Sequence, residues 1–567
     1  MYIRKHSSRF RAVVSLFILA LFFLLARLIT ICVFRASFLA ALANKQHNLY
    51  LELAPQRGVI FDRNLRPLAL NLPAYSLYAI PQRIKNHDAV IAKLISLTGQ
   101  SREFLNERLS RKKSFIWLAR KLPLDAVEEI KKSKIDGLGF IPESKRYYPN
   151  FVLGCHIIGF TDLDNKGLEG LELFYDSYLK GAAGYCWVKR DARQRELLLD
   201  KDYIPPRDGY DLVLTIDATI QFIVEREMDI AFKKYHCRGA SIIVMDPATG
   251  EILAMANRPG FDLNQYQKAD ADSLRNRAVC DMFEPGSVFK VVTLCAAFAE
   301  NKVAETDKFF CENGKYQVAN HILHDHTPHG TLTFREIIEQ SSNIGTTKVA
   351  QKLGPSIIYQ YEKIFGFGQL TRIDMPGEIA GKVIKPAAWS KTSIGAVPIG
   401  QEVGVTAIQL VRAISIIANG GQGVRPFVVK RIQDKQGELI KEFFPTVEPV
   451  INADIAQRAK SVLIGVVDKG TGKLAKPASF TAGGKTGTAQ KVEPNGVYSQ
   501  SRFYASFIGF APADNPRIAV AVIFDEPHPS HFGGTVSAPV FARIVEDTLK
   551  YLQGEYGETK RNLAAVR

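Results

Sequence analysis

No Cys-x-x-Cys pair occurs in this chain, and its seven cysteines, Cys32, Cys155, Cys186, Cys237, Cys280, Cys295 and Cys311, are odd in number. A zinc ribbon or a thioredoxin-type redox centre is therefore not indicated. Internal repeats and low-complexity linkers are also missing. So is any zinc-finger, RRM or KH signature, and without one the formal net charge of +16 does not read as a nucleic-acid footprint. The glycine-rich stretch Asn419-Gly420-Gly421-Gln422-Gly423 is not followed by Lys-Ser/Thr, so it is a turn and not a phosphate cradle. What remains, with 46% hydrophobic and 23% charged residues, is the composition of an ordinary folded protein. Its 567 residues imply two or three domains.

One apolar run, Ala12 to Phe34, is long enough to cross a bilayer as a helix. Arg27 interrupts it near the C-terminal end, where a long side chain can snorkel to the headgroups. Arg4, Lys5, Arg9 and Arg11 precede it, so the positive-inside rule keeps the N-terminus cytoplasmic and exports the remainder. A cleaved signal peptide is the rival reading. It is disfavoured by the length of the apolar core and by the lack of an A-x-A site. After the anchor, residues 35–206 read as a β-rich first domain with some helix, such as Asp125 to Lys132. Ile204-Pro205-Pro206-Arg207-Asp208-Gly209 marks its end, because paired prolines and a glycine stop both helix and strand.

Residues 207–552 read as an α/β domain. Ala218 to Tyr235 has helical periodicity, and SIIVMD and EILAMA flank a PATG turn as a hairpin. TAGGKTGTAQ, FYASFIGFAP and RIAVAVIFDE are three further strands, and Ala538 to Leu552 is a closing helix. A sheet whose first and last strands flank a helical middle is largely antiparallel. Residues 553–567 lack an apolar pattern and read as a tail.

Three short elements carry chemistry. In Glu284-Pro285-Gly286-Ser287-Val288-Phe289-Lys290 a Pro-Gly pair opens a helix, which puts Ser287 in its first turn and Lys290 above it on the same face. A serine hydroxyl needs a base, and lysine becomes one only if burial or positive neighbours lower its pKa. The helix N-terminus also offers N–H donors to a developing oxyanion. Spacing alone is weak evidence, since Ser110 with Lys113 and Ser177 with Lys180 share it. The second element, Ser341-Ser342-Asn343, is the one S-x-N, and read alone it is a helix end capped by polar side chains. The third, Lys485-Thr486-Gly487-Thr488, is the one K-[ST]-G, and read alone it is a glycine-rich strand edge. Together, in this order, they offer a nucleophile with its base, a hydroxyl beside an amide, and a cation with a hydroxyl for a carboxylate.

This set resembles that of the penicillin-binding proteins and serine β-lactamases. Arg57-Gly58-Val59-Ile60-Phe61-Asp62-Arg63-Asn64, Arg146-Tyr147-Tyr148-Pro149, Gly167-Leu168-Glu169-Gly170 and Gly470-Thr471-Gly472 narrow the resemblance to class B penicillin-binding proteins, over nearly the whole chain. It implies a cytoplasmic tail (1–11), a membrane anchor (12–34), a β-rich non-catalytic pedestal of the dimerisation type (35–206), a penicillin-recognising transpeptidase domain (207–552) and a tail (553–567). In that domain an antiparallel sheet is flanked by helices. Val291 stands where many relatives have proline after the lysine, and this leaves the catalytic atoms unaffected.

The implied activity is D,D-transpeptidation of peptidoglycan stem peptides. Ser287 is the nucleophile, Lys290 its base, and Ser341 the relay to the leaving amine. Asn343, Lys485, Thr486 and Gly487 bind substrate, and the backbone N–H groups of Ser287 and Thr488 form the oxyanion hole. β-Lactams would acylate the same serine, and neither a metal nor an organic cofactor is implied. Within class B the ending FDEPHPSHFGGTVSAPVFARIVED and the modest first domain point to the septal division type, with elongation and sporulation types as alternatives. A SEDS-family glycosyltransferase and other division proteins are the implied partners, in the inner (plasma) membrane. A β-lactam sensor and a carboxypeptidase or β-lactamase remain rival readings. The dense histidines His321, His324, His326 and His329, with Asp325 among them, fit no single helical zinc motif, and Asp62 and Arg63 are expected to form a structural ion pair.

Overall fold

The computed structural model describes residues 2–39, 48–111, 113, 115–190 and 196–554. The expected C-terminal tail lies almost wholly outside the described residues. By its contacts the chain divides into two compact units, Met1–Gln56 with Gly181–Asp208, and Arg57–Lys180 with Gly209–Arg567.

In the first unit, the helix Tyr2–Ile29 runs into a π-helical turn, Thr30–Phe34. The stretch Arg9–Phe34 is long and apolar enough to cross a membrane, and its side chains stand exposed around the whole circumference. The unit also holds a three-stranded antiparallel sheet in which Gly184–Arg190 lies between Asn48–Leu53 and Glu196–Ile204.

In the second unit, the N-terminal half carries more helix than the sequence suggested. His87–Thr98 and Arg102–Leu109 join the expected helix, which spans Leu124–Lys132, and all three pack on strands Pro67–Ala79 and Ile116–Leu122. Two separate sequence motifs meet at one buried carboxylate here, two residues past a third. Glu172 has no solvent exposure, and its Oε2 accepts from Arg57 Nε at 2.6 Å while its Oε1 accepts from Arg146 Nε at 2.6 Å. Arg57 also donates to Asp176 Oδ1 at 2.7 Å, and Arg146 to the Gly58 carbonyl at 2.7 Å. Burial of so many charges is tolerable because each finds an opposite partner in hydrogen-bonding geometry.

The expected Asp62–Arg63 pair does not form. Asp62 Oδ1 accepts from the amides of Asn64 and Arg66, each at 2.8 Å, so it closes a tight turn. Arg63 instead reaches Glu251 at 3.1 Å.

The C-terminal half is built on a five-stranded antiparallel sheet. Its labelled elements, in chain order, are helix α1 (Ala218–Lys234), strands β1 (Gly239–Met245) and β2 (Ile252–Arg258), and helices α2 (Lys290–Ala299), α3 (Phe334–Glu339) and α4 (Asn343–Leu353). They continue with helix α5 (Ala453–Asp468), strands β3 (Gly483–Val492), β4 (Tyr498–Ala511) and β5 (Ile518–Asp525), and helix α6 (Gly533–Leu552). The strand order is β2-β1-β5-β4-β3. Successive side chains alternate between faces. Ile242, Val244, Val520, Val522 and Phe507 pack with α1 and α6, whereas Ile243, Met245, Ala519, Ala521 and Ile508 face a second core that includes α2, α4 and α5. Covering both faces explains why the strands read as unbroken apolar runs. Helix α2 is buried along its length, as expected of a helix apolar all round. The last strand, β3, is an edge, so one side of its backbone is not engaged by the sheet.

Candidate active site

Ser287 lies in a 3-10 turn, Gly286–Phe289, and the α-helix proper begins at Lys290. The expected helical first turn is thus a tighter one. Side chains three residues apart eclipse in 3-10 geometry, which favours Lys290 and Ser287 sharing a face. The turn is fixed on two sides. The Gly286 amide donates to the Gly400 carbonyl at 3.0 Å, and a Cβ on Gly286 (φ +58°) would stand 2.7 Å from the Thr488 carbonyl oxygen of β3. The glycine of the third motif has the same cause: a Cβ on Gly487 would meet Ser506 Oγ at 2.3 Å, Val288 Cγ1 at 2.8 Å and the Pro285 carbonyl at 2.9 Å. Strand β3 packs directly on the serine turn, and only glycine fits between them.

Lys290 is fully buried. Its ammonium donates to the Ser341 carbonyl at 2.6 Å, Ser341 Oγ at 3.2 Å and Asn343 Oδ1 at 2.8 Å. Burial pulls its pKa down to about 7, while the Asp325 carboxylate pushes the other way. Lys485, also fully buried, approaches from β3 and donates to the same Ser341 Oγ at 2.9 Å and to the Thr486 carbonyl at 3.3 Å. Its pKa is well below the lysine norm, first through burial and then through the charge of Lys290. Two lysines from distant parts of the chain therefore converge on one hydroxyl.

Ser341 can serve both because its backbone is left-handed (φ +60°), a conformation rare for a residue with a side chain and commonest at functional sites. The next residue, Ser342, caps α4 by accepting from the Gly345 amide at 2.9 Å, as the capping reading of this motif expects. Asn343 spends one amide proton on the His324 carbonyl at 3.0 Å, and a second remains on the same nitrogen.

Two residues to which the sequence assigned no role at the site hold this arrangement. Asp325 Oδ2 accepts from Ser342 Oγ at 2.6 Å, and its Oδ1 accepts from the amides of Asn343 and Ile344, the latter at 3.0 Å. It sits inside the histidine-rich stretch, and its role depends on partners 17 residues or more along the chain. Among the described residues no group of three metal-ligating side chains occurs. The other residue is Thr471, whose Oγ1 lies 2.7 Å from Thr486 Oγ1. The signal for it was the Gly-Thr-Gly triplet, whose glycines let the chain pass close to α3: a Cβ on Gly470 would stand 2.1 Å from the Glu339 carbonyl.

Among the sulfurs, Cys32, Cys155, Cys237, Cys280, Cys295 and Cys311 are free, and burial pushes the Cys155 and Cys237 thiols up to about 12. At that value neither is a thiolate nucleophile near neutral pH.

A serine on a helix-start turn, a buried lysine three residues on, and a second lysine from an edge strand meeting the first on one hydroxyl are groups suited to serine acyl transfer. Comparison with known proteins agrees. Residues 240–546 match the penicillin-binding protein transpeptidase domain, and residues 52–214 match the penicillin-binding protein dimerisation domain. The chain belongs to the class B penicillin-binding proteins. It is 36% identical to Stage V sporulation protein D of Bacillus subtilis, over 91% of this chain and 81% of that protein. It is 31% identical to the peptidoglycan D,D-transpeptidase FtsI of Escherichia coli K12, over 97% and 92%. The crystal structure of penicillin-binding protein 3 of Mycobacterium tuberculosis with aztreonam superposes with a TM-score of 0.69 at 28% identity, covering 89% of this chain and 97% of that one.

Proposed function

We propose that this protein is a peptidoglycan D,D-transpeptidase acting in septal wall synthesis. Ser287 Oγ attacks the carbonyl of the penultimate D-Ala of a donor stem peptide while neutral Lys290 takes its proton. The backbone N–H groups of Ser287 and Thr488 receive the oxyanion. Lys485 and Thr486 hold the terminal carboxylate, Asn343 bonds the peptide backbone, and Gly487 keeps β3, along whose edge that backbone adds as a strand, close to the serine turn. On collapse the C–N bond to the terminal D-Ala breaks, and Ser341 passes a proton to the leaving amine. An amine of a neighbouring stem peptide then attacks the ester, forms the cross-link and returns the serine. β-Lactams acylate Ser287 by the same first step.

The observation that carries this reading is the meeting of Lys290 and Lys485 on Ser341 Oγ, at 3.2 and 2.9 Å. It links a proton acceptor beside the nucleophile to a cation where a carboxylate would sit. The test is labelling of the detergent-solubilised full chain with a fluorescent penicillin, followed by transfer of a labelled D-amino acid onto stem peptide. Labelling without transfer, but with hydrolysis, would reassign the enzyme as a carboxypeptidase.

The septal assignment is supported by likeness to FtsI over 97% of the chain, and sporulation by the 36% identity to the stage V protein. The basic residues ahead of the apolar helix support a cytoplasmic N-terminus. In the same reading a single pass crosses the inner membrane and the pedestal and transpeptidase domains (35–206 and 207–552) lie outside it, with a SEDS-family glycosyltransferase and other divisome proteins as partners. Depletion in the native cell should give filaments. Rounded cells would assign elongation, and a defect confined to spores would assign sporulation.

A further inference from the structure

We infer that Thr471 is a positioning residue that makes the Thr486 hydroxyl a one-way donor to the substrate carboxylate. The inference rests on the transpeptidase reading and deepens it.

A threonine hydroxyl has one proton and two acceptor positions, so which way it points is open unless its neighbours decide. At Thr486 they do. Lys485 Nζ lies 3.5 Å from Thr486 Oγ1, in position to donate to it. Thr471 Oγ1 lies 2.7 Å from the same oxygen. With Thr471 donating, both acceptor positions of Thr486 face donors, and its own proton is left for an incoming carboxylate. An anion is then met by a hydroxyl that needs no reorientation, the arrangement that makes a preorganised donor effective. Were Thr471 the acceptor, the proton of Thr486 would be spent inside the protein and a lone pair would face the incoming carboxylate.

The position of Thr471 is built, not incidental. Its amide donates to the Glu339 carbonyl at the end of α3 at 3.1 Å, and the Gly472 amide donates to Val466 O at 3.0 Å on α5. On the other side, a Cβ on Gly534 at the start of α6 would stand 2.8 Å from the Thr471 carbonyl and 3.7 Å from Thr486 Cγ2. Three helices thus pin the threonine against β3. Glu339 is two residues before Ser341, so the contacts close a ring: Glu339 to Thr471, Thr471 to Thr486, and Lys485 back to Ser341.

The test compares benzylpenicillin with its methyl ester, which lacks the anionic carboxylate, as acylating agents of the full chain. The variants are Thr471→Val, which has the same shape without the hydroxyl, and Thr471→Ser, which restores it. For Thr471→Val the second-order acylation rate with benzylpenicillin should fall roughly tenfold, the effect of one lost charge-assisted hydrogen bond. The rate with the ester should change less than about twofold, and Thr471→Ser should return the preference for the anion. An equal loss toward both compounds, or no loss toward either, would overturn the inference while leaving Ser287 as the nucleophile. Failure of the unmodified protein to be acylated at all would instead remove the transpeptidase reading.

Discussion

Replacing Asp325 by asparagine separates its two roles. The carboxylate grips the Ser342 hydroxyl with one oxygen and the amides of Asn343 and Ile344 with the other, and its charge opposes the effect of burial on Lys290. Asparagine keeps the shape and one acceptor oxygen. With that oxygen toward the two amides, its NH2 faces Ser342 Oγ, which already accepts from Gly345 and has a second acceptor position. Each retained bond loses its ionic part, about 1 kcal/mol, so the turn is weakened by roughly 2–3 kcal/mol without being dismantled. The chemical consequence has a definite sign. Lys290 titrates at about 7, so at pH 6 about a tenth is neutral and able to act as base. Removing the anion that holds this value up lowers it further. The acid limb of acylation should therefore move to lower pH, and the ratio of the rate at pH 6 to that at pH 8 should rise, even as the maximal rate falls. Stopped-flow acylation by a fluorescent penicillin from pH 5.5 to 9 reads this directly. Ser342→Ala, which removes one grip and no charge, should leave the apparent pKa in place. An unchanged or raised apparent pKa in Asp325→Asn would refute the electrostatic reasoning.

Further outcomes follow from the same geometry. Gly487→Ala puts a methyl group 2.3 Å from Ser506 Oγ and 2.9 Å from the Pro285 carbonyl, so acylation should fall at least a hundredfold while circular dichroism shows a folded chain. Glu172→Leu leaves two nearly inaccessible guanidinium groups without their shared partner and should cost about 3–5 kcal/mol, seen as a lowered thermal midpoint. Lys290 has a folded pKa below its unfolded value, so between about pH 7 and 10.5 the unfolded chain binds more protons and stability rises with pH. Denaturant unfolding at pH 7 and 9 should show this rise to be larger in the unmodified protein than in Lys290→Met.

The parts of this molecule that were legible from sequence are those whose cause is local. The lysine three residues after Ser287 is a spacing, and the paired glycine and strand pattern around Lys485 are a composition. The five central strands were readable because helices bury both faces and leave no polar alternation to confuse them. What was not readable depends on partners far along the chain. Asp325 reaches the S-x-N turn across 17 residues or more, and Thr471 meets Thr486 across 15, and neither contact leaves a periodicity. The insertion of β5 between β1 and β4 is likewise a matter of topology. The Asp62–Arg63 expectation failed because the Asp62 carboxylate is taken up by the amides of the turn it closes, which leaves Arg63 to pair with Glu251.

The most direct measurement is mass spectrometry of the intact protein after exposure to benzylpenicillin, followed by peptide mapping. A single adduct on the peptide containing Ser287, lost in Ser287→Ala with the fold retained, is the result this account requires. An adduct on any other residue, or labelling that survives in Ser287→Ala, would contradict it.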